Sequence, residues 1–225
     1  PNSHHPSDWR PIAVGSSLGK LFDTILCARL ISVLEGQNKL SEIQHGFRFD
    51  RNAADELLLI CEALKNNSNQ HSVIISLDLR TAFPSVCHAS IVNSLEKRGI
   101  HGTLLRALLN TLVGTQFYDV QGTHSSSEPI SSGVRQGAVC SPMLFAIAID
   151  DLLHDLHAKS STHGLSLPNG SAFICALAFA DDICLLARDS KHAQELLNIC
   201  GTFAETHGLQ FHVACRPHGK RMQQM

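Results

Sequence analysis

The stretch 172–187, AFICALAFADDICLLA, contains two apolar runs separated by Ala180-Asp181-Asp182. Short apolar runs of this kind predict β-strands, and a gap of three residues predicts a tight hairpin with two acids at its tip. Burying an unpaired carboxylate is unfavourable, so adjacent acids on an apolar hairpin indicate a bound cation. Oxygen ligands on a rigid turn suit Mg²⁺. A solvated β-turn is the alternative interpretation, because Asp is a common turn residue.

A third acid lies on another predicted strand, 71–79, HSVIISLDL. Alternation along a strand places Ser76 and Asp78 on one face and Leu77 and Leu79 on the other. A lone acid at a strand end is often a helix cap or a turn acceptor. If Asp78 instead faces the acidic hairpin, three carboxylates surround one volume, which two Mg²⁺ ions about 4 Å apart would fill.

Helical and extended patterns alternate over the rest of the chain. Apolar residues recur with helical spacing, and the predicted helices span 18–34, 52–64, about 88–98, about 102–113, 141–157 and 191–207. A hairpin is expected to pair 116–120 with 129–132 around a turn at 122–127, followed by a loop at 160–170 and a last strand at 209–214. Ser141 is predicted as an N-cap, with Pro142 at the first helical position. Helices combined with an antiparallel hairpin indicate the α+β class.

Composition indicates a folded chain. The 225 residues suffice for one large domain or two small ones, and 44% are hydrophobic. A net charge of −2 argues mildly against a nucleic-acid binder, although an acidic metal site inside a basic groove would give the same sum. The eight cysteines form no CxxC pair, and Cys61 and Cys175 lie in apolar runs. Buried free thiols in a reducing compartment are therefore expected.

The sequence shows no signal peptide and no apolar run long enough to cross a membrane. An intracellular protein without membrane contact is expected, and nucleus and cytoplasm are not distinguished. Both ends of the chain are polar, which suggests a fragment of a longer protein.

Several blocks resemble, in order and approximate spacing, the motifs of reverse transcriptases. Motifs A, B and C correspond to DLRTAFPSV, SGVRQGAVCSPMLFAIAID and LAFADDICLLA. The upstream blocks RPIAVGSSLGKLFDTILCARL and QHGFRFDR resemble finger motifs, and GTFAETHGLQFHV resembles the segment after motif C. The match runs from about Trp9 to Val213. The motif sequences are more similar to those of non-LTR retrotransposon enzymes than to those of group II intron enzymes.

The resemblance implies an α+β right-hand polymerase with fingers and palm, in which helices pack on an antiparallel palm sheet. Residues 1–70 would form the N-terminal part of the fingers. Residues 71–225 would form the palm, with an inserted finger or helical segment at about 88–130, and the C-terminal thumb would be absent. The implied function is the RNA-directed DNA polymerase core of a retroelement, which transfers nucleotides by a two-metal mechanism.

The resemblance also implies site residues. Asp78 and Asp181 match the metal-binding catalytic acids, and Asp182 matches a supporting acid. The remaining nucleotide-binding candidates are Phe83, Gln136, Gly137, Arg48, Arg51 and Leu79, and the secondary candidates are Lys20, Arg10, Phe179 and Ala180.

Simple physical arguments suit these roles. The ring of Phe83, packed beneath the sugar, would leave no room for a 2′-OH, and an arginine fork bonds phosphate oxygens in pairs. Gly133 and Gly137 would let the backbone approach the nucleotide closely. Without the resemblance, Phe83 would be interpreted as a core aromatic and the arginines as solvated side chains.

The implied cofactor is a pair of Mg²⁺ ions, for which Mn²⁺ could substitute. The implied partners are an RNA template, a DNA primer or target, deoxynucleoside triphosphates and the further domains of a longer polyprotein. The family's acid after the motif A aromatic is Pro84 here, and its downstream Asn and Lys are His212 and Cys215.

These departures leave alternatives open. One is a catalytically inactive, truncated retroelement remnant that acts at most as a nucleic-acid-binding or scaffold domain. Others are a polymerase that makes RNA on an RNA template, and an α+β interaction domain with an acidic turn.

Overall fold

A computed structural model of the protein describes residues 12–116, 119–120, 123–170 and 172–215. The helices in these ranges are α1 (Ser17–Gly36), α2 (Ala53–Asn66), α3 (Ala82–Ser85), α4 (His88–Lys97), α5 (Gly102–Leu112), α6 (Ser141–His157), α7 (Ser160–His163) and α8 (Ser190–His207), with a 3₁₀ turn at Pro168–Gly170. The strands are β1 (Val73–Leu79), β2 (Thr115–Gln116), β3 (Asp119–Val120), β4 (Thr123–His124), β5 (Glu128–Pro129), β6 (Leu165–Ser166), β7 (Phe173–Ile174), β8 (Ala176–Phe179), β9 (Asp182–Ala187) and β10 (Phe211–Cys215). Within the described ranges, no helix has both the length and the apolar content that a bilayer crossing requires.

The central sheet is antiparallel and has the strand order β10-β1-β9-β8. On β1, the side chains of Ile75, Leu77 and Leu79 are buried, whereas Ser76 and Asp78 are exposed. This alternation confirms the face assignment predicted from the sequence. The acid of β1 therefore lies on the open face of the sheet, and the apolar residues join the core.

Helix α6 is the centre of that core. Twelve of its 17 residues are buried, because apolar side chains surround it on nearly every side. The helix begins at Ser141, and Cys140 occupies the N-cap without a side-chain hydrogen bond. The predicted N-cap at Ser141 was therefore wrong by one residue. Pro142 still lies in the first turn, where its missing N–H costs nothing.

Two extended regions differ from the sequence predictions. The expected loop at 160–170 contains α7 and β6, and Leu165 pairs with Ile174 of β7 because both side chains are buried there. The expected hairpin is longer than predicted, since β2 pairs with β5 and β3 pairs with β4. Val120 lies opposite Thr123, so strand pairing extends into the expected turn at 122–127, and positions 121–122 lie outside the described residues.

One burial prediction was wrong as well. Cys61 is exposed rather than buried, because it lies on the outer side of α2, whereas Cys175 is buried as expected. The apolar face of α1 is buried only over its second half, at Leu26, Leu30 and Leu34. The first half leaves four apolar residues exposed, namely Leu18, Leu21, Phe22 and Ile25. Helical spacing therefore identified the helix but not the extent of its burial.

A buried ion pair joins the first third of the chain to the core. Asp150 of α6 is fully buried, and its two carboxylate oxygens accept from the backbone N–H of Ser41 at 2.9 Å and from Nη2 of Arg98 at 2.6 Å. Arg98 also donates to the carbonyl oxygens of Ser94 at 2.9 Å and of Lys39 at 3.2 Å. One carboxylate thus fixes α4, α6 and the segment after α1 to one another.

Replacing Asp150 with Ala is expected to lower the free energy of unfolding by about 3–5 kcal/mol, because it removes the buried counter-charge of Arg98 and leaves only the partly exposed Asp151 carboxylate, at 3.0 Å. Urea denaturation measures this loss. Lys97→Ala is the control, since it removes an exposed partner of Asp151 and should cost less than about 1 kcal/mol. Equal losses in the two variants would contradict a structural role for the buried pair.

Candidate active site

The structure brings the three predicted acids together at one end of the central sheet. Asp78 of β1 lies directly opposite Asp182 of β9. Directly opposed residues of an antiparallel pair have Cβ atoms about 4.5–5.5 Å apart, on the same face. Asp182 in turn pairs with Phe179 of β8, so the connection contains only Ala180 and Asp181. The predicted three-residue gap was therefore too long by one residue, and only Asp181 is at the tip.

Electrostatic repulsion within this acidic cluster is visible at Asp182. Burial raises the pKa of its carboxyl group, and the nearby charges of Asp181 and Asp78 raise it further. Within the described ranges, the side chains of three or more His, Cys, Asp or Glu residues nowhere converge on a common ion position. The three neighbouring carboxylates repel one another, and a bound cation would relieve that repulsion. Their hard oxygen donors fit Mg²⁺ or Mn²⁺.

A fourth acid, Glu56, lies beside this cluster and was missed by the sequence analysis. Burial and the Asp182 charge raise the pKa of Glu56 to about 7. Glu56 also raises the pKa of the Cys184 thiol, whose burial is the larger cause. In the sequence, an acid in the first turn of α2 resembles an ordinary partner of the helix dipole. Only the packing of α2 against the sheet brings Glu56 near enough to Asp182 for its charge to act on it.

A second missed feature is the segment 43–46, which runs along β8. The N–H of His45 donates to the carbonyl oxygen of Ala178 at 2.7 Å, and the N–H of Ala178 donates to that of Ile43 at 2.8 Å. The side chain of Gln44 is fully buried and hydrogen-bonds both the N–H and the carbonyl of Ala180. This block belongs to a predicted finger motif, in which Gln44 had no predicted role.

Phe83 lies in α3, shortly after β1, and packs against α6. Its half-buried ring stacks on Phe145, with ring centroids 5.2 Å apart and an interplanar angle of 7°. Its carbonyl oxygen accepts from the N–H of Val134 at 2.8 Å. Gly133 has a φ of +80°, and a Cβ there would lie 2.7 Å from Pro84 Cα. The segment after β1 and the loop before α6 therefore hold each other in place.

The motif B candidates Gln136 and Gly137 lie against the beginning of the described chain. The carbonyl oxygen of Gln136 accepts from the N–H of Ala13 at 2.7 Å. Gly137 has a φ of +97°, and a Cβ there would approach the carbonyl oxygen of Ala13 to 3.0 Å. Gln136 is half-buried and Gly137 is exposed, so this loop combines a fixed backbone with an open surface.

The two finger arginines have different surroundings. Arg48 is buried, and its guanidinium donates twice to the Glu35 carboxylate, at 2.8 and 2.6 Å, and once to the carbonyl oxygen of Ser41. The Glu35 carboxylate raises the pKa of Arg48. Arg51 pairs with Glu42, whose side chain is 61% exposed. The Arg48 guanidinium is therefore occupied by partners within the protein. Its predicted contact with the triphosphate stays a prediction.

The other candidates differ in burial. Leu79 is buried in the core, Phe179 is half-buried beside Asp182, and Ala180 is buried in the turn. Lys20 is exposed on α1. Arg10 lies outside the described residues.

The Glu56 environment predicts a pH-dependent stability. Its folded pKa of about 7 lies above the unfolded value of about 4.3, so the native state holds the proton longer. The stability that protonated Glu56 contributes is fully present below the unfolded pKa. It is lost as the pH rises through the folded pKa of about 7. Glu56→Gln should therefore stabilise the metal-free protein relative to wild type at pH 8, but little at pH 4. Urea denaturation in chelator at both pH values measures this, with Glu62→Gln on the same helix as control. A constant difference between pH 4 and pH 8 would count against this environment.

Comparison with known proteins identifies related chains. The family described as reverse transcriptase (RNA-dependent DNA polymerase) matches residues 1–214. The chain is 34% identical over 192 residues to a retrovirus-related Pol polyprotein from type-1 retrotransposable element R2 of Popillia japonica, covering 81% of this chain and 25% of that polyprotein. It is 32% identical over 210 residues to the polyprotein from type-2 retrotransposable element R2DM of Drosophila melanogaster, covering 91% and 19%. The chain thus spans between 19% and 25% of the length of these curated relatives.

Solved structures share the fold at low sequence identity. Apo telomerase from Candida tropicalis gives a TM-score of 0.65 at 10% identity, over 88% of this chain and 37% of that one. Telomerase from Candida albicans, in complex with a TWJ fragment of telomeric RNA, gives 0.62 at 15% identity, over 89% and 36%. These likenesses confirm the α+β fold with fingers and palm. Since the family match spans nearly the whole chain, the chain belongs to the reverse transcriptase (RNA-dependent DNA polymerase) family.

Proposed function

We propose that this chain is the catalytic core of a non-LTR retroelement polymerase, which extends a DNA primer on an RNA template with deoxynucleoside triphosphates. The observation that carries the proposal is the register of the sheet, which sets Asp78 opposite Asp182, with Asp181 in the adjoining turn. The three carboxylates come from two separate parts of the chain and lie near one another at one end of the sheet, where a primer end and a nucleotide could reach them.

In this mechanism, the primer 3′-OH attacks the α-phosphorus of the bound nucleotide, and pyrophosphate leaves. Asp78 and Asp181 would hold two Mg²⁺ ions, for which Mn²⁺ could substitute, and Asp182 would support them. When bound, such ions would lower the pKa of the attacking hydroxyl and neutralise charge at the leaving group. The protein itself contributes position and fixed charge, and base pairing with the template supplies the sequence information.

Phe83 would select the sugar. Its stacking on Phe145 and the hydrogen bond from Val134 to its carbonyl oxygen restrict both the ring and the backbone. A ring held in this way cannot retreat from an added 2′-hydroxyl, which is what a steric gate requires. The exposed backbone at Gly137 would let the nucleotide and template approach the loop before α6.

Of the two finger arginines, Arg51 is the better candidate for the triphosphate. Its pair with the exposed Glu42 is worth less than about 1 kcal/mol and can open. Releasing Arg48 would instead leave the Glu35 carboxylate without its buried partner. Lys20 and Arg10 stay secondary candidates, together with Phe179 and Ala180, which would shape the turn.

The wider context belongs to the same proposal. The fingers would comprise residues 1–70, and the palm residues 71–225 with an insertion at about 88–130. The chain would act within a longer polyprotein, inside the cell and away from membranes. Because such a protein recognises backbone and shape, its affinity for the template–primer duplex should fall as salt concentration rises.

The acids provide the direct test. Asp78→Asn and Asp181→Asn should each reduce Mg²⁺-dependent primer extension by at least about a hundredfold. Neither should lower the thermal unfolding midpoint, because each removes a repulsive charge. Single-nucleotide extension on an RNA template measures the activity, with Asp155→Asn on the exposed side of α6 as control. Full synthesis by either purified variant would exclude the assigned role, and an inactive wild type would favour the truncated remnant.

Sugar selection gives a second test. Phe83→Ala should raise the efficiency of ribonucleotide incorporation relative to deoxynucleotide incorporation by about ten- to a hundredfold, because the ring no longer occupies the 2′ position. The measurement compares kcat/KM for matched dNTP and NTP pairs. Phe173→Ala, which removes a partly exposed aromatic ring from β7, is the control. An unchanged ratio would mean that Phe83 is a core aromatic and not a gate.

A further inference from the structure

The turn that carries Asp181 has an unfavourable backbone conformation. Ala180 has a φ of +59°, in the left-handed region, although it is not a glycine. This conformation costs a non-glycine residue on the order of 1 kcal/mol and persists only where the surroundings enforce it. Ala180 is also 5% exposed, so solvent does not satisfy its backbone groups. The protein must therefore supply both the hydrogen bonds and the restraint.

Gln44 supplies the hydrogen bonds. The Oε1 atom of its carboxamide accepts from the N–H of Ala180 at 3.0 Å, and its Nε2 donates to the Ala180 carbonyl oxygen at 3.4 Å. A carboxamide has a donor and an acceptor side by side, so it can match both polar groups of one residue. Oε1 also accepts from the N–H of Gly46 at 2.8 Å, which fixes the amide orientation.

Gly46 supplies the restraint. A Cβ on Gly46 would lie 2.3 Å from the nitrogen of Ala180, so only glycine allows this approach. The same segment is anchored to β8 by the backbone hydrogen bonds of His45 and Ile43 with Ala178. It is also anchored to α6, since the N–H of Gln44 donates to the Ser41 carbonyl and the N–H of Ser41 donates to Asp150. The turn therefore rests on a platform that is fixed at two separate places.

We propose that Gln44 is a positioning residue for the catalytic turn: its carboxamide holds Ala180 in the left-handed conformation and so sets the position of Asp181 relative to Asp78. Gln44 touches neither substrate nor metal in this account and acts through Ala180. Its effect on turnover rests on the function proposed above. Its effect on the acidic cluster does not, because divalent ion binding can be measured without primer, template or nucleotide.

The test replaces Gln44 with Met, which retains the volume and loses all three hydrogen bonds. We expect kcat for single-nucleotide extension to fall by about ten- to a hundredfold, with KM for the nucleotide little changed, because only the alignment of Asp181 is lost. We also expect weaker Mn²⁺ binding, measured by electron paramagnetic resonance of the free ion. Gln44→Glu keeps the acceptor for the Ala180 and Gly46 N–H groups but buries an unpaired carboxylate beside the acidic turn, so its defect should be at least as large as that of Gln44→Met. Gly46→Ala, which displaces the turn while Gln44 is intact, should reproduce the Met defect.

Asn67→Leu is the matched control. The Asn67 side chain is a buried carboxamide whose Nδ2 donates to the carbonyl oxygens of Ala63 at 2.7 Å and of Ser166 at 2.8 Å. Its loss should lower the thermal midpoint about as much as Gln44→Met does, while kcat and Mn²⁺ binding stay at wild-type values. If Gln44→Met lowers only the midpoint, in the same way as the control, Gln44 is purely structural and the proposal is overturned.

The remaining outcomes separate the two proposals. If Gln44→Met fails to fold, Gln44→Glu and Gly46→Ala decide by the same two readouts, and wild-type behaviour in both overturns the inference. If the wild type extends no primer but binds Mn²⁺ in a manner that depends on Gln44, the proposed function fails and the positioning role stands. If the wild type binds no Mn²⁺ at millimolar concentration, both proposals fail.

Discussion

The central sheet must overcome the mutual repulsion among Asp78, Asp181 and Asp182. Like charges at neighbouring positions of a sheet oppose the pairing that brings them together. The register is therefore determined by the other face, where Ile75 and Leu77 of β1 are buried opposite Leu185 and Ile183 of β9. A slip of one residue would place the acid in the core and the apolar residues in solvent. Hydrophobic burial thus keeps the acids together in spite of their charge.

The protein treats its other charges in a different way. The buried carboxylate of Asp150 receives Arg98 and a backbone N–H, and the buried guanidinium of Arg48 receives Glu35. In the described part of the chain, no lysine or arginine forms an ion pair with Asp78, Asp181 or Asp182. Structural charges are compensated from within the protein, whereas the three acids at the end of the sheet receive no such partner within the described ranges. This contrast distinguishes a site from a scaffold more clearly than burial does.

Features of the fold that depend on local periodicity were predicted correctly from the sequence. Period-two alternation placed Asp78 on the open face, and the apolar runs around Asp181 identified the hairpin. The predicted turn was one residue too long because Asp182 still pairs with Phe179 across the two strands. The polarity of a residue does not show where strand pairing ends. Gln44 and Glu56 were missed for another reason: their partners lie more than a hundred residues away, and a buried glutamine has no sequence signal. Arg48 shows the same limit of prediction from sequence. Its guanidinium group could bind a phosphate, but it is equally suited to the Glu35 carboxylate that it binds in the structure.

The positions of the acids thus depend on contacts that lie well outside the motifs containing them. Asp181 follows a residue whose conformation is held by Gln44, and the segment of Gln44 is tied through Ser41 to Asp150 on α6. The core of α6 also supports Phe83 through Phe145. Helix α6 is therefore linked to the acidic turn through Ser41 and Gln44, and to the ring of Phe83 through Phe145. Because protein interiors are densely packed and transmit small displacements, a change in α6 should move both groups together. The acids and the ring are consequently best regarded as one rigid unit rather than as separate motifs.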